Sequence, residues 1–347
     1  MATMKDVARA AGVSIYTVSA ALSGSAPVSP ELKARVRQAV KALGYERNSV
    51  ASGLRQGTSS LIGLIVSDVT NPFFTELVDR IQMEARQHGY SVLLGISGHD
   101  TAREAELLRL MRSHQAAGTI LGPAGGPTDY GAGELAAGRM KLVAIDNAFP
   151  SLGIDSIGLD NRKAASLAVS HLLDLGHRRI AMVGGVPQQH VARERLAGYR
   201  ETLRRRGVAF TPALVESGHF RLEDGYLACK KLMRSAPPPT ALFVANNLML
   251  IGVMRALGDL GLRVPQDISV CSIDDFPWAS AFQPALTVVQ QPIAEMAGAA
   301  FRTLLSRLGG ETGPPVRQLL APHLVVRQSC IAVRPPLRSR GRGAAST

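Results

Sequence analysis

Short polar side chains collect where apolar stretches of this chain end. Carboxylates and amides supply the acceptors and donors that the hydroxyl groups of a small polar ligand require. The alternative is that Asp and Asn only cap the next helix, and this interpretation is favoured for Asp160 and Asn161. The pairs are Asp68 and Asn71, Asp146 and Asn147, Asp160 and Asn161, Asn246 and Asn247, and Asp274 and Asp275.

Recognised catalytic patterns are missing from the sequence. The glycine-rich stretch from Gly122 to Pro127 lacks the Lys-Ser/Thr of a phosphate loop and has no dinucleotide spacing. The Ser, His and Asp residues form no nucleophile-elbow pattern. His171 and His177 are off the helical spacing that places two metal ligands on one face. We therefore expect no enzymatic activity, no cofactor and no metal site.

Basic side chains are concentrated at the two ends of the chain. Residues 1–58 carry eight basic and three acidic side chains, and the tail from Ile331 adds four arginines without an acid. The ends thus supply +9 of the formal net charge of +12, and the middle is nearly balanced. A basic module on a near-neutral body is typical of a protein that neutralises phosphates. The pattern favours DNA binding over a generic three-helix domain that binds protein.

Three capped helices are predicted near the N-terminus. Thr3 and Asp6 have the spacing of a capping box, and Gly12 ends the first helix. Ser14 caps a second helix, and Ser29 caps a third. Short helices joined by a tight turn predict a helix-turn-helix.

The second helix has a packing face and a free face. At 100° per residue, Val18, Ala21 and Leu22 cluster on one side. Tyr16 and Ala20 point the opposite way, with Ile15 and Ser19 near them. The residues of this helix predicted to contact DNA are Ile15, Tyr16, Thr17, Ser19 and Ala20.

The body alternates strands and helices. Leu61 to Val66 is a continuous apolar run of the kind found in parallel strands covered on both faces, and a helix follows from Pro72 to about His88. Such alternation predicts doubly wound parallel sheets, which bind ligands at the carboxyl ends of their strands. Further strands are predicted at 90–96, 118–121, 141–145, 156–159, 179–183, 214–217, 241–245, 268–273 and 287–289.

Several sequence strings occur in an order and spacing that together are highly specific. They are Met1-Ala2-Thr3-Met4-Lys5-Asp6-Val7-Ala8, Gly12-Val13-Ser14, Thr17-Val18-Ser19, Asn71-Pro72-Phe73-Phe74, His171 to His177, Arg195 to Tyr199 and Val264 to Val270. On these strings, residues 1–330 resemble the lac/gal repressor family of bacterial transcription regulators. The resemblance implies an all-α helix-turn-helix head and an α/β body of two lobes like a periplasmic sugar-binding protein. The chain would cross three times between the lobes.

The resemblance also implies an effector site between the lobes. Aromatic faces cover the apolar side of a sugar ring, and an arginine with a carboxylate brackets vicinal hydroxyls, so a sugar-like effector is expected. Taken singly, Phe73, Phe74 and Phe220 are more often core residues, whereas Arg195 has little core role. The implied contacts are Asn71, Phe73, Phe74 and Asp146 from one lobe, and Gln189, Val191, Arg195, Phe220, Asn246 and Asp274 from the other.

Residues 47–58 are predicted to form a hinge. Asn48 can cap a helix that ends at Leu54 and is too short to be stable alone in water. The family pairs this segment with its copy from a second subunit in the minor groove, where Leu54 would wedge between base steps. This implies DNA contacts for Asn48, Ala51, Leu54 and Arg55. A flexible linker is the alternative.

The chain departs from the family pattern at several positions. Ala20 replaces an Arg or His that reads a base, so one major-groove hydrogen bond is lost. Arg47 and Ser52 replace a Pro and an Arg, which predicts a weaker or more ligand-sensitive hinge. Asn247 replaces an Asp, which removes a hydroxyl acceptor or an interlobe contact. Val191 stands where the family often has a polar residue.

The sequence thus predicts a homodimeric repressor that binds an inverted-repeat operator in double-stranded DNA and responds to a small polar effector. The alternative is a cytoplasmic small-molecule-binding protein of the same fold, and the two differ in whether residues 1–58 confer site-specific DNA binding. The predicted parts are the head (1–46), the hinge (47–58), the N-terminal lobe (59–160 and 290–322), the C-terminal lobe (161–289 and 323–331) and a basic, disordered tail (332–347).

The cytoplasm is the expected compartment. The N-terminus lacks an apolar stretch of signal-peptide type, and no run of about 18 apolar residues could span a bilayer. Cys229, Cys271 and Cys330 are odd in number and lack metal-type spacing. We expect them to be buried thiols in a reducing compartment.

Overall fold

The computed structural model describes residues 2–23, 26–45, 59–126, 129, 140–147, 149 and 153–333. These residues fall into two compact units, Met1–Ser60 and Leu61–Thr347. The predicted hinge over residues 47–58 and the tail beyond Val333 lie outside the described residues.

The first unit is a helical head. A capping box joins Thr3 and Asp6 at the start of α1, and Gly12 ends that helix with a left-handed backbone conformation at φ 62°. The Ser14 hydroxyl accepts the backbone N–H of Thr17 and so caps α2 as predicted. Val7, Val18 and Val36 of the three helices are fully buried against one another. The helices are α1 (Met4–Ala11), α2 (Ile15–Ser23) and α3 (Pro30–Leu43).

The second unit alternates strands and helices along the chain. Its described strands are β1 (Leu61–Val66), β2 (Ser91–Ile96), β3 (Gly118–Leu121), β4 (Lys141–Ile145), β5 (Asp155–Leu159), β6 (Ile180–Gly184), β7 (Val215–Ser217), β8 (Ala241–Val244), β9 (Ser269–Ile273), β10 (Thr287–Gln290), β11 (Arg317–Leu320) and β12 (His323–Val325). Its described helices are α4 (Pro72–Gln87), α5 (Thr101–Ser113), α6 (Asn161–Asp174), α7 (His190–Arg205), α8 (Leu222–Met233), α9 (Asn247–Asp259) and α10 (Ile293–Leu308).

Two six-stranded sheets have the same strand order. The first runs β11-β5-β4-β3-β1-β2 and the second runs β12-β10-β9-β8-β6-β7. All pairings are parallel except that of β10 with β12, which is antiparallel. In each sheet the order reverses beside β1 or β6, which creates a crevice at the carboxyl ends of the strands. The predicted α/β body of two doubly wound lobes is confirmed.

The chain passes between the two sheets three times. It leaves the first sheet after β5, returns after β10, and crosses again between β11 and β12. The sequence prediction did not include β11 and β12 as strands. We call the lobe around the first sheet the N lobe and the lobe around the second sheet the C lobe.

Each lobe buries its own apolar core. Ile62 and Leu64 of β1 pack with Phe301 of α10 in the N lobe, while Phe243 of β8 and Tyr199 of α7 stack in the C lobe with ring centroids 6.3 Å apart. The central strands are buried almost throughout, as continuous apolar runs predict. No helix among the described residues is both long enough and apolar enough to cross a membrane.

The three cysteines are free thiols in the C lobe. Cys229 and Cys271 are buried, as predicted. Cys330 is only partly buried, which corrects that prediction. It lies in the segment that follows β12, and its thiol donates to the carbonyl of Val270 at 3.1 Å.

Candidate functional site

The polar residues at the strand ends meet between the two lobes. Asp68 and Asn71 follow β1, Asp146 follows β4, Asn246 follows β8 and Asp274 follows β9. Parallel strands bring their carboxyl ends to one edge of each sheet, and the two edges face each other across the cleft.

All ten residues predicted to contact an effector line one cavity of about 50 Å³, which we call the inner chamber. This volume holds only a few water molecules and is small beside ligand pockets of roughly 300–1,000 Å³. The chamber is lined by Asp68, Asn71, Phe73, Phe74, His99, Asp146, Gln189, Val191, Arg195, Phe220, Asn246, Asp274 and Gln291. Its walls come from both lobes, so a ligand of ordinary size requires the lobes to move.

Arg195 is the only cation among the described lining residues of the inner chamber. Its side chain is buried, its Nε donates to the Oδ1 of Asn161 at 2.8 Å, and its Nη1 donates to the carbonyl of Ala245. These bonds fix the guanidinium and leave other N–H donors for a ligand. The predicted capping role is confirmed for Asp160, which accepts the N–H of Lys163, whereas Asn161 positions Arg195.

Two carboxyl groups face this arginine in a poorly hydrated space. Burial raises the pKa of Asp146 to about 7, which the nearby Arg195 opposes and the nearby Asp274 reinforces. Burial also raises the pKa of Asp274, and here the Arg195 charge and a hydrogen bond from Gln291 work in the opposite direction. A carboxyl group with the pKa of Asp146 can either donate to or accept from a ligand hydroxyl near neutral pH.

Backbone strain is concentrated around this cleft. Left-handed φ angles occur at Asp146 (64°), Asp274 (76°), His99 (63°) and Phe220 (60°), all of which line the inner chamber. Residues with a side chain seldom adopt these angles, and such strain clusters at ligand sites. The left-handed turn at the end of β4 and of β9 places each Asp at the cleft.

Aromatic rings supply the apolar part of the inner chamber. Phe73 and Phe74 meet edge to face with centroids 5.0 Å apart, and both also pack into the N-lobe core. The Arg195 guanidinium lies 5.8 Å from the centroid of the Phe220 ring. Phe73 and Phe74 are therefore core residues, as expected of single phenylalanines, and they also form part of the chamber wall.

Hydrogen bonds between the lobes hold the cleft nearly closed. The Asn247 Nδ2 donates to the Asn71 Oδ1 at 3.0 Å, and both residues are buried. The Gln189 Nε2 donates to the carbonyl of Ala124 at 3.2 Å. Of the two alternatives at Asn247, loss of an interlobe contact is not what the structure shows, because the amide supplies an N–H donor that a carboxylate lacks. Loss of a sugar-hydroxyl acceptor stays a prediction.

Three residues of the inner chamber were not among the predicted contacts. Asp68 was noted only as a strand-end residue, and the local sequence around His99 and Gln291 carries no recognisable ligand motif. The Nδ1 of His99 and the Oε1 of Gln291 are buried without a hydrogen-bond partner in the described structure. Burial lowers the pKa of His99, so its ring is neutral near pH 7.

The head presents an exposed helix face. Tyr16 is 74% exposed and Ile15 is 41% exposed, while Thr17 and Ser19 are half-buried. Ala20 is only 2% exposed, which corrects the prediction that it lies on the free face. The helical repeat predicts the direction in which a side chain points, and for a single methyl group that direction does not determine the exposure.

The remaining predicted DNA contacts lie outside the described residues. They are Asn48, Ala51, Leu54 and Arg55. The two departures from the family pattern at Arg47 and Ser52 also lie outside the described residues. The described residues contain no group of three or more His, Cys, Asp or Glu side chains arranged to hold a metal ion.

Two family models match the chain in succession. Residues 3–48 match bacterial regulatory proteins of the lacI family. Residues 169–330 match the periplasmic binding protein-like domain. The first match covers the head, and the second covers most of the C lobe together with α10 and β11 of the N lobe.

Similar proteins match the chain over nearly its full length. The ribose operon repressor of Haemophilus influenzae is 33% identical over 334 residues, which covers 96% of this chain and 100% of that protein. The lac repressor dimer bound to operator and the anti-inducer ONPF has a TM-score of 0.86 at 30% identity, with 95% and 99% coverage of the two chains. The complex of the transcriptional regulator CelR with cellobiose has a TM-score of 0.72 at 31% identity, with 95% and 100% coverage.

Proposed function

The chain belongs to the lacI family of bacterial regulatory proteins, and from this premise we propose that it is a transcriptional repressor whose operator affinity is set by a small, sugar-like effector. The observation that carries the proposal is the inner chamber, whose walls come from both lobes of a body joined to a helix-turn-helix head. The family consists of regulatory proteins, and the proposal includes no catalytic step.

The head supports sequence-specific DNA binding. Its exposed residues Ile15 and Tyr16 lie on the second helix of the motif, which enters the major groove in such domains. Each base preference encoded there contributes about 1–3 kcal/mol of discrimination. The proposed DNA contacts of this helix are Ile15, Tyr16, Thr17 and Ser19, with Ala20 contributing a methyl group at most.

The hinge extends this proposal to residues outside the described structure. We propose that residues 48–54, which lie outside the described residues, form a helix only on DNA and beside a second copy, because a helix that short is unstable alone in water. We assign it the minor-groove contacts Asn48, Ala51, Leu54 and Arg55. Two heads on a homodimer match an inverted repeat. The similar lac repressor has been solved as a dimer bound to operator. The proposed compartment is the cytoplasm, where bacterial DNA is located.

The inner chamber supports control by an effector. A ligand that touches Phe73 or Asn71 in the N lobe and Arg195 in the C lobe favours one arrangement of the lobes over another. Only such differential contact shifts a conformational equilibrium. Couplings of this kind are about 1–3 kcal/mol and reciprocal, so operator changes effector affinity by the same factor.

Hydroxyl recognition follows from the lining. Arg195 donates, Asp146 and Asp274 accept or donate, Asn246 offers an amide, and the phenylalanine rings cover an apolar face. The same chemistry fits cellobiose, with which the similar regulator CelR has been solved, and ribose, after whose operon the Haemophilus influenzae repressor is named.

The test measures DNA and effector binding on the same protein. Site selection from random DNA identifies the operator, and calorimetry then gives effector affinity with and without that operator. Arg195→Ala and Asp274→Ala are expected to abolish the effector's influence on DNA while leaving effector-free operator binding within about three-fold, because neither side chain belongs to the head. Arg204→Ala, an exposed arginine on the same helix as Arg195, is the matched control.

Two outcomes would overturn the proposal. One is the absence of any preferred inverted repeat, which would favour a binding protein without regulated DNA binding. The other is equal effector affinity with and without operator, which would show that the cleft does not control DNA binding.

A further inference from the structure

Two of the three cysteines are neighbours in the C lobe. Cys271 belongs to β9, and Cys330 belongs to the segment that follows β12. The backbone N–H of Val270 donates to the carbonyl of Ser329 at 2.9 Å, and the Cys330 thiol donates to the carbonyl of Val270 at 3.1 Å. These bonds hold the segment directly beside β9, and the side chains of Cys271 and Cys330 lie next to each other.

The spacing of the two backbones suits a disulfide bond. Neighbouring strands joined by backbone hydrogen bonds lie roughly 4.7–4.9 Å apart. The Cα atoms of a disulfide are about 4.4–6.8 Å apart, so the two ranges overlap. Both thiols are free in this structure. A reducing compartment keeps such a pair as thiols, and a disulfide then forms only in the presence of an oxidant.

The two thiols differ in access to solvent. Cys271 is 0% exposed, whereas Cys330 is half-buried. A small oxidant from solvent therefore meets Cys330 first. Cys229 is also buried, and it provides an internal reference for a thiol that solvent does not reach.

The surroundings of Cys330 favour its thiolate. The neighbouring Cys271, His171 and Ser329 side chains lower the pKa of Cys330 to about 6. The Nε2 of His171 is buried and has no hydrogen-bond partner among the described residues, so that atom is not held by another group. The Cys330 neighbour and burial raise the pKa of Cys271, which therefore keeps its proton. Because the thiolate is the nucleophile, Cys330 is the first of the two to react.

We infer that Cys330 is a site of oxidation by peroxides and that Cys271 converts the product into an intramolecular disulfide. In the first step the Cys330 sulfur attacks the peroxide, an S–O bond forms, and the O–O bond breaks. The released hydroxide leaves as water with the proton given up by the Cys330 thiol. The product is a sulfenic acid.

The second step closes the disulfide. The Cys271 sulfur attacks the Cys330 sulfur, so an S–S bond forms and the S–O bond breaks. The hydroxyl group of the sulfenic acid leaves as water with the Cys271 proton. The two thiols lose two electrons in total, and the peroxide that gains them is reduced to two molecules of water. A dithiol reductant reverses the change.

The experiment treats the folded full chain with a small excess of hydrogen peroxide. Remaining thiols are blocked with N-ethylmaleimide in acidic denaturant, and the chain is digested without reduction. Mass spectrometry should find one cross-linked pair of peptides that contains Cys271 and Cys330, while Cys229 carries the maleimide. Dithiothreitol should separate the pair.

Variants then assign the two steps. Cys271→Ala should stop the reaction at the Cys330 sulfenic acid, which dimedone captures, and Cys330→Ala should slow peroxide consumption about ten-fold. Cys229→Ala is the matched control and should form the disulfide at the wild-type rate. His171→Gln should slow the first step about three-fold at pH 6.5 and leave it unchanged at pH 9, where the thiolate forms without the histidine.

Three results would overturn the inference. These are a wild-type digest without the cross-linked pair, a Cys271→Ala chain whose Cys330 does not capture dimedone, and a disulfide that joins two chains or includes Cys229. The wild-type digest needs no substitution, so it decides the matter even if a variant fails to fold. The inference does not depend on operator or effector binding, so the proposed function is tested separately.

Discussion

Asp146 should make the stability of the body depend on pH in a predictable direction. Its pKa is raised from 3.8 to about 7 by burial, so the folded state holds a proton that the unfolded state releases. Stability is therefore lost as the pH rises from 3.8 to about 7, and the total corresponds to about 4 kcal/mol. Asp146→Asn removes this dependence because an amide does not titrate.

The expected difference is large enough to measure. Between pH 5.5 and pH 8, wild type should lose about 2 kcal/mol more unfolding free energy than Asp146→Asn. Urea titrations monitored by the single tryptophan, Trp278, report the unfolding of the body. At pH 8 the variant should be the more stable protein.

A second carboxyl group provides the control. Burial raises the pKa of Asp155, but hydrogen bonds from Arg307 and from the Val316 N–H outweigh that effect and leave the pKa lowered. Asp155 is therefore ionised at both pH values, and Asp155→Asn should cost the same stability at each. If the difference in unfolding free energy between wild type and Asp146→Asn stays constant from pH 5.5 to pH 8, the reasoning is refuted.

Three further predictions concern the head, the cleft and a thiol. Tyr16→Ala should leave stability within about 0.5 kcal/mol and change the DNA motif returned by site selection; an unchanged motif would exclude Tyr16 as a reader. Asn247→Asp should disfavour lobe closure by about 1–3 kcal/mol, because it places a carboxylate against the Asn71 oxygen, and Gly126→Ala should act likewise, because a Cβ would lie 2.2 Å from the Gln188 carbonyl oxygen. Small-angle scattering should show a larger radius of gyration for both, and unchanged profiles would contradict the role of these contacts. The neighbouring Cys271, His171 and Ser329 side chains lower the pKa of Cys330 to about 6, whereas burial raises the pKa of Cys229 to about 12. Iodoacetamide at pH 7 should therefore alkylate Cys330 first, and equal labelling of Cys229 would contradict this order.

The sequence predicted the interior of the body well because buried parallel strands are continuous apolar runs. Leu61–Val66 and Lys141–Ile145 agree with the predicted strands at both ends. The strands β11 and β12 were not predicted because β11 is largely exposed and both are short, so neither has an apolar run. Helix starts were predictable where a cap residue was present, as at Thr3.

The site was predictable only in part. Strand ends and the family resemblance selected ten residues that the structure places in one chamber. The local sequence does not indicate that His99 and Gln291 line the chamber, because their positions depend on how distant segments of the chain meet. The sequence also does not predict the left-handed backbone conformation of Asp146 and Asp274, because glycine is the residue ordinarily expected at such a position. Ala20 shows that the helical repeat predicts the direction in which a side chain points but not how much of it is exposed.

The three crossings between the lobes affect how the chain is made. Neither sheet is complete until β11 and β12 have been synthesised, because these edge strands are the last to emerge. A ribosome therefore holds two unfinished lobes until residue 317 is reached, and the second lobe stays unfinished until residue 325 is free. A stop codon at residue 317, or deletion of residues 317–325, should damage both lobes at once, whereas a fusion after Val333 should leave both intact.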